Sequence, residues 1–392
     1  LTEKINIAVI GGGIIGCAVA WDLSERYEGV FVFEKNSGIT QGENQSSRNS
    51  GVIHSGIYYD QETRPLKAAL CVEGNRLLYD FCERHKVPAL KTGKLIVATN
   101  QAEDNILGMY LDRATKNQVP GVERITGEEV SLLEPNVVAE SALMVPSAGI
   151  VDPMSFVYRL NTLASNNGAQ FMTDTEVAGF ELAGDGINVV FRYRDGKTDR
   201  AISNVVINAG GVDSDLLARL IRPDSPYELD PVRGESYKFY GHKRPELKLQ
   251  GMNIYPTPEL VHTQHGSHFT VGVHLTPTFD DFFYPPVVGS TVTVGPKLVA
   301  VRDRKDVSCP PLDAGVFASK ARSYFPGLKD DDLIWHQMGV QARLKGQPDF
   351  VIQADSAAPD FINLLGIDSP GLTSSLAIAR RVGKMVDGLI RS

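Results

Sequence analysis

Three groups of residues in this chain could carry chemistry: a glycine turn near the start, two histidines set among small residues, and arginines able to clamp an anion. Gly11-Gly12-Gly13-Ile14-Ile15-Gly16 follows the apolar run Ile5 to Ile10 and opens a helical pattern, so the GxGxxG spacing stands between a strand and a helix. There Gly11 permits the tight turn and Gly13 lets backbone approach a pyrophosphate. Gly16 lets the helix pack on the strand, while the helix N-terminus favours the anion. Ile14, Ile15 and Lys35 belong to the same expected contact surface. Glu34 ends the second strand, where a carboxylate accepts hydrogen bonds from both hydroxyls of an adenosine ribose and repels a 2′-phosphate. The stretch calls for a dinucleotide, FAD or NAD.

His54 sits in Gln45-Ser46-Ser47-Arg48-Asn49-Ser50-Gly51-Val52-Ile53-His54-Ser55-Gly56-Ile57-Tyr58-Tyr59, a run too small and polar for a core helix. In a nucleotide-binding sheet such a run lies near the carboxyl ends of the strands, and its small residues permit close approach to a planar cofactor. A satisfied surface loop with His54 as a structural hydrogen-bonder is the alternative. Arg233, in Arg233-Gly234-Glu235, and His274, in VGVHLTPT, fall in a strand-rich region and face either a ligand or water.

The elements that position these groups follow from periodicity. Arg64 to Arg84 reads as a helix with Leu70, Leu77, Leu78 and Phe81 on its core face, and Lys94 to Thr99 as a strand. Thr126 and Glu129 form a capping-box pattern, and Asp152-Pro153 opens a helix through Ser165. Gln170–Thr173, Thr175–Leu182, Ile187–Arg194 and a fourth strand near Ala201 read as a meander. A new buried strand, Val205 to Ala209, ends in Gly210-Gly211, with Asp213 placed to cap the helix carrying Leu216, Leu217 and Leu220. This second glycine turn suits a cofactor held extended across one sheet, which favours FAD over NAD. Glu228 to Val301 reads as an antiparallel sheet, Asp313 to Tyr324 as a helix, Asp330 to Asp332 as a solvated turn. The final helix runs to Leu389 behind Pro370-Gly371, its positive end open to an anion. The fold class is mixed α/β. A discontinuous FAD-binding domain takes residues 1–88, 146–224 and 338–392, and a mainly antiparallel substrate domain takes 89–145 and 225–337.

The chain has 392 residues, long enough for two domains, with 42% hydrophobic and 22% charged residues. A net charge of −8 with no basic cluster argues against a nucleic-acid partner. Cys17, Cys71, Cys82 and Cys309 show no metal-ligand spacing and read as reduced buried thiols, which fits a cytoplasmic protein. No metal is proposed. No apolar span of about 18 residues suggests a membrane crossing.

With these residues in hand, the chain resembles the D-amino-acid-oxidase-like flavoproteins, and within them the L-2-hydroxyglutarate dehydrogenase/oxidase group. NSGVIHSGIYY, LKA and CVEG carry the resemblance in order and spacing. GVHLTPT around His274, Gly295-Pro296 and GIDSPGLTSS from Gly366 add to it. The resemblance implies FAD bound by Gly11, Gly13, Gly16 and Glu34, with Gln45, Ser46, Ser47, Arg48, Asn49 and Ser50 near the flavin. Val177, Ala209 and Gly210 fall on the adenine and pyrophosphate side, and Gly371, Leu372, Thr373 and Ser374 on the pyrimidine ring. Oxidation of a small 2-hydroxy acid then needs a hydride path to flavin N5, a base and cations for the carboxylates. His54 is the first choice of base and His274 the second, with Tyr58 or Tyr59 shaping the same wall. Arg233 and Arg343 are the carboxylate candidates, since a guanidinium binds bidentately. The resemblance also implies an arginine directly after a glycine–hydrophobic pair near Val340. This chain has Gln341 there and Arg343 two positions on, a spacing that keeps one face of a strand.

L-2-hydroxyglutarate is the lead substrate; glycerol 3-phosphate or an amino acid is the nearest alternative, and a non-catalytic flavin-carrying binding or assembly protein the alternative of another class. Quinone, oxygen and a protein are all open as electron acceptor, and quinone would place the protein peripherally at a membrane.

Overall fold

The strand Glu3–Ile10 lies between Val30–Phe33 and Thr198–Asn208, parallel to both. Ile7, Ala8 and Val9 are fully buried, as a strand covered on both faces requires. The computed structural model describes residues 3–263, 266–280, 285–301, 303–304 and 310–390. Gln170–Met172 extends the parallel set beyond Val30–Phe33, and Phe361–Leu365 extends it on the opposite side. Helices Ile14–Ser24, Pro65–His85, Pro153–Asn166 and Gly371–Ile390 share one core with this sheet through residues such as Val19, Leu78, Phe156 and Ile378. Asp152 opens its helix as expected, its carboxylate accepting the Ser155 N–H at 2.6 Å.

The meander is corrected in two places. Gln170–Met172 leaves it and pairs in parallel with Val30–Phe33. The separate strands read near Ala201 and from Val205 are one strand, Thr198–Asn208. Its first half pairs antiparallel with Gly186–Tyr193 and its second half parallel with Phe361–Leu365. Ser203 looks like a polar break in sequence, but it is buried and its hydroxyl donates to the Val205 carbonyl at 2.7 Å, so the strand carries it without an unsatisfied group.

A second sheet has the order Leu333–Gln341, Val232–Tyr240, Val288–Ala300, Leu275–Phe279, Asn253–Pro256, Lys94–Ala98, Ser141–Met144, Glu123–Thr126. Lys94–Ala98 is buried throughout, parallel to Asn253–Pro256 and antiparallel to Ser141–Met144. Alternation sends Leu95 and Val97 toward a core shared with Tyr237, Phe317 and Tyr324. Ile96 and Ala98 face a core shared with Tyr58, Tyr110 and Tyr255.

Other expectations shift in detail. Asp213 does not cap the helix Ser214–Ile221; its carboxylate is drawn instead to Lys35 at 2.6 Å. The helix read from Asp313 is Ala314–Ala321, and Asp313 caps it. Asp330 and Asp332 pair with Arg322 and Arg244. Cys17, Cys71 and Cys82 are buried free thiols, while Cys309 lies outside the described residues. Among the described residues no helix is long and apolar enough to cross a membrane.

Candidate active site

The carboxyl ends of the parallel strands open into a cavity of about 1100 Å³ whose lining includes both Glu34 and His274. Single ligand pockets usually measure about 300–1,000 Å³, so the space suits a dinucleotide with a small substrate. Two helices point their N-termini into it. Ile14–Ser24 starts behind Gly13, with no side-chain cap and no acidic residue in its first turn, and Gly371–Ile390 likewise has no acidic first-turn residue. Their positive ends therefore face the cavity with no acidic side chain in either first turn. That donor set fits FAD: an anion-favouring turn, a ribose carboxylate and a second helix end lie along one space.

Local sequence explains the cradle. Gly11 has φ +107°, a conformation open to glycine, and a side chain there would meet the Ala209 carbonyl. Ser46 accepts the Ile14 N–H on its hydroxyl at 2.9 Å. Gln45 accepts the Val340 N–H at 2.7 Å, and Gln337 donates to the Arg48 carbonyl at 3.0 Å. The short turn Ser46–Arg48 is thereby tied to both the glycine turn and the second sheet. Lys35 bridges Glu43 and Asp213, each at 2.6 Å, tying the segment after Glu34 to the second glycine turn.

Glu34 is more committed than its sequence position suggests. Its carboxylate accepts Gly12 N–H at 2.7 Å, Asn36 N–H at 2.8 Å and the Asn36 side-chain amide at 2.7 Å. A carboxylate offers about four acceptor sites, so about one is left for a ribose, not the pair of bonds expected. Glu34→Ala is expected to weaken FAD by about 1.5–3 kcal/mol, the range for a hydrogen bond to a charged group, and to lower the melting temperature of the cofactor-free protein as well. FAD titration and thermal melts check both; unchanged FAD affinity would assign the ribose elsewhere.

The opposite end is built around two imidazoles. The His54 backbone N–H donates to Thr373 Oγ1 at 3.0 Å, and Asn75 donates to the His54 carbonyl at 2.9 Å, fixing the ring's attachment. His54 Nε2 lies 3.3 Å from Ser369 Oγ, which is 3.5 Å from the Tyr59 hydroxyl. His54 Nδ1 is buried with no hydrogen-bond partner among the described residues. Burial, then the charges of Lys94 and His274, hold His54 well below the usual histidine range. His274 Nδ1 lies 3.1 Å from the Gly272 carbonyl, which can only accept, so Nδ1 carries the proton and Nε2 keeps its lone pair. Burial takes His274 down to about 3. Both rings are neutral at ordinary pH, the protonation state of a base.

Of the cofactor residues expected from sequence, all but Gly16, Ser47 and Ser374 border the cavity. Gly16 packs against Gly11 instead. His54 and His274 border it together, but Arg233, Arg343, Tyr58 and Tyr59 do not. Arg233 is buried and paired with Glu235 at 2.6 Å. Arg343 lies past the strand that ends at Gln341, so the face-sharing that would bring it to an arginine's place does not apply, and Gln341 itself borders the cavity. Tyr58 stands behind Tyr255, their ring centroids 6.2 Å apart. Sequence reasoning missed Tyr255, which stacks on His274 at 3.8 Å, and Ser369 beside His54. It also missed Lys94, whose signal was a lysine in phase with Ile96 and Ala98 on a strand buried throughout.

The family model for FAD dependent oxidoreductases matches residues 6–385. The mitochondrial L-2-hydroxyglutarate dehydrogenase of Arabidopsis thaliana is 32% identical, across 97% of this chain and 83% of that protein. The glycerol 3-phosphate oxidase of Mycoplasma pneumoniae is 30% identical, across 98% of this chain and 95% of that protein. Among solved structures, the dithionite-reduced L-alpha-glycerophosphate oxidase of Mycoplasma pneumoniae with FAD bound superposes with a TM-score of 0.84 at 26% identity, covering 98% of this chain and 95% of that one.

Proposed function

Because this chain belongs to the FAD-dependent oxidoreductase family, we propose that it oxidises a small 2-hydroxy acid to the 2-oxo acid, with L-2-hydroxyglutarate as the lead substrate. It is an FAD-dependent dehydrogenase or oxidase acting on CH–OH donors. The observation that carries the reading is the pair of neutral imidazoles, His54 and His274, at one end of the cavity whose other end is the glycine turn. Bound FAD supplies the acceptor for the hydride that leaves the substrate's Cα. His54 takes the hydroxyl proton, Ser369 orients its Nε2, and Tyr255 with His274 closes the wall.

The division into a cofactor unit, 1–88, 146–224 and 338–392, and a substrate unit, 89–145 and 225–337, is kept as part of this reading, with the strand Leu333–Gln341 running across the boundary at 338. It leaves quinone, oxygen or a protein as the electron acceptor, and with that choice a cytoplasmic or membrane-peripheral location. Glycerol 3-phosphate is the second reading, supported by the Mycoplasma pneumoniae relative's identity along nearly the full chain. Anaerobic spectroscopy separates them: L-2-hydroxyglutarate is expected to bleach the flavin absorbance faster than glycerol 3-phosphate or any amino acid. Bleaching by one of those competitors alone would overturn the reading.

A further inference from the structure

A buried ammonium group stands behind the histidine end of the cavity. Lys94 is 0% exposed, and its Nζ has no hydrogen-bond partner among the described residues. That Nζ lies 3.7 Å from the centroid of the Tyr255 ring and 5.2 Å from that of Tyr58. The Tyr255 ring stacks on His274 with centroids 3.8 Å apart and planes 15° from parallel. Two groups this near one centroid have no room on one face, so Tyr255 is held between the ammonium and the imidazole. Tyr255 and His274 border the cavity, and Lys94 does not.

An apolar side chain would fill this position at less cost than an unpaired cation, whose desolvation an aromatic face offsets only in part. The cavity gives the charge a use. His54, Tyr255, His274 and Ser369 are uncharged. The lysine and arginines that border the cavity are already engaged: Lys35, Arg192, Arg219 and Arg304 by carboxylates, and Arg48 by the Gly42 carbonyl.

We propose that Lys94 is a positioning residue whose charge holds a carboxylate-bearing ligand at the histidine end of the cavity, acting through the Tyr255–His274 stack and not by contact. The inference rests on the hydroxy-acid reading for the ligand's carboxylate but not for its oxidation.

The surroundings of Lys94 give this a pH signature. Its titratable neighbours are His54 and Tyr58 on the segment after Val52–Ile53, Cys71 on Pro65–His85, Tyr255 on Asn253–Pro256 and His274 just before Leu275–Phe279, with Tyr110 on Gln101–Lys116 behind Tyr58. Burial pushes the tyrosines and Cys71 up and both histidines down. Burial takes Lys94 itself down to about 7, with Cys71 opposing. Lys94 is thus the member of this set that changes charge near neutrality. Its attraction for an anion is present below about pH 7 and is lost as pH rises through it.

The test titrates the FAD-loaded protein with glutarate, a dicarboxylate with no hydroxyl to oxidise, following the perturbation of flavin absorbance. A unit charge about 12 Å from a carboxylate at an effective dielectric near about 20 alters binding about 10-fold. Glutarate is therefore expected to bind the parent about 10-fold more weakly at about pH 8.5 than at about pH 6. Lys94→Met and Lys94→Gln, checked for FAD content and melting temperature, are expected to bind weakly at both values with no pH trend. A parent that binds glutarate equally at both values or not at all, or variants that match the parent, overturns the proposal. If neither variant keeps FAD, the parent's pH trend decides. Failure of the hydroxy-acid reading shows separately, as no bleaching by any 2-hydroxy acid while glutarate binding keeps its trend.

Discussion

Replacing His54 by alanine is expected to slow anaerobic reduction of the bound flavin by about 10²–10⁴-fold, the usual contribution of a positioned base, while FAD stays in place. Retention follows from geometry. The contact with Thr373 comes from the His54 backbone N–H, which alanine keeps, and the glycine turn and Glu34 lie at the far end of the cavity. The pH profile carries a sign of its own. Burial, with the charges of Lys94 and His274, depresses the His54 pKa, so the neutral base persists below pH 6.5 and is lost only as pH falls through that lowered value. The acid limb of flavin reduction is therefore expected below the ordinary histidine range. Stopped-flow reduction by the best substrate is the measurement. Loss of FAD in the variant would make His54 structural, and reduction as fast as the parent's would remove it as the base. The same measurement on His274→Ala then tests the ring whose Nε2 is already an acceptor.

The two ends of the cavity differ in how far the sequence discloses them, and the difference is physical. At the glycine turn the signal is local even where the contact is not: Gly11, Gly16 and the strand before them are neighbours in the chain, and Gly16 is held to glycine by the Gly11 carbonyl, while Gly11 also faces the distant Ala209 carbonyl. At the histidine end the stack joins Lys94, Tyr255 and His274, which only sheet pairing brings together: Lys94 lies opposite Asn253, two residues before Tyr255. Arg233 stands away from the cavity for a reason visible in the sequence. Glu235 is two residues away on the same strand, hence on the same face, and a buried arginine beside it is engaged before any substrate arrives. Arg343 stands away from the cavity for the opposite reason, since face-sharing lasts only as long as the strand, and the strand stops at Gln341. The fusion of two expected strands into Thr198–Asn208 shows why polarity alone is a poor boundary signal: Ser203 satisfies its own hydroxyl within the strand.

The glycine turn offers a paired test that separates packing from ligand approach. At Gly16 an added Cβ would collide with the Gly11 carbonyl, a backbone group that no side-chain shift relieves, so the helix Ile14–Ser24 must move off its strand. Gly16→Ala is expected to cost about 3 kcal/mol or more, at or above the upper end for overpacking, and to yield a protein that neither melts normally nor retains flavin. At Gly13 an added Cβ would meet the Ser46 hydroxyl at 3.1 Å and the Asn44 amide at 3.7 Å, contacts a small side-chain shift relieves. Gly13→Ala should therefore leave the melting temperature of the cofactor-free protein close to the parent's. Its methyl would still stand where the pyrophosphate must approach the backbone, so FAD affinity is expected to fall about 10–100-fold, or about 1.4–2.8 kcal/mol. Thermal melts of cofactor-free protein and FAD titration of both variants check the pair. A Gly13→Ala protein that binds FAD like the parent would place the pyrophosphate away from this turn.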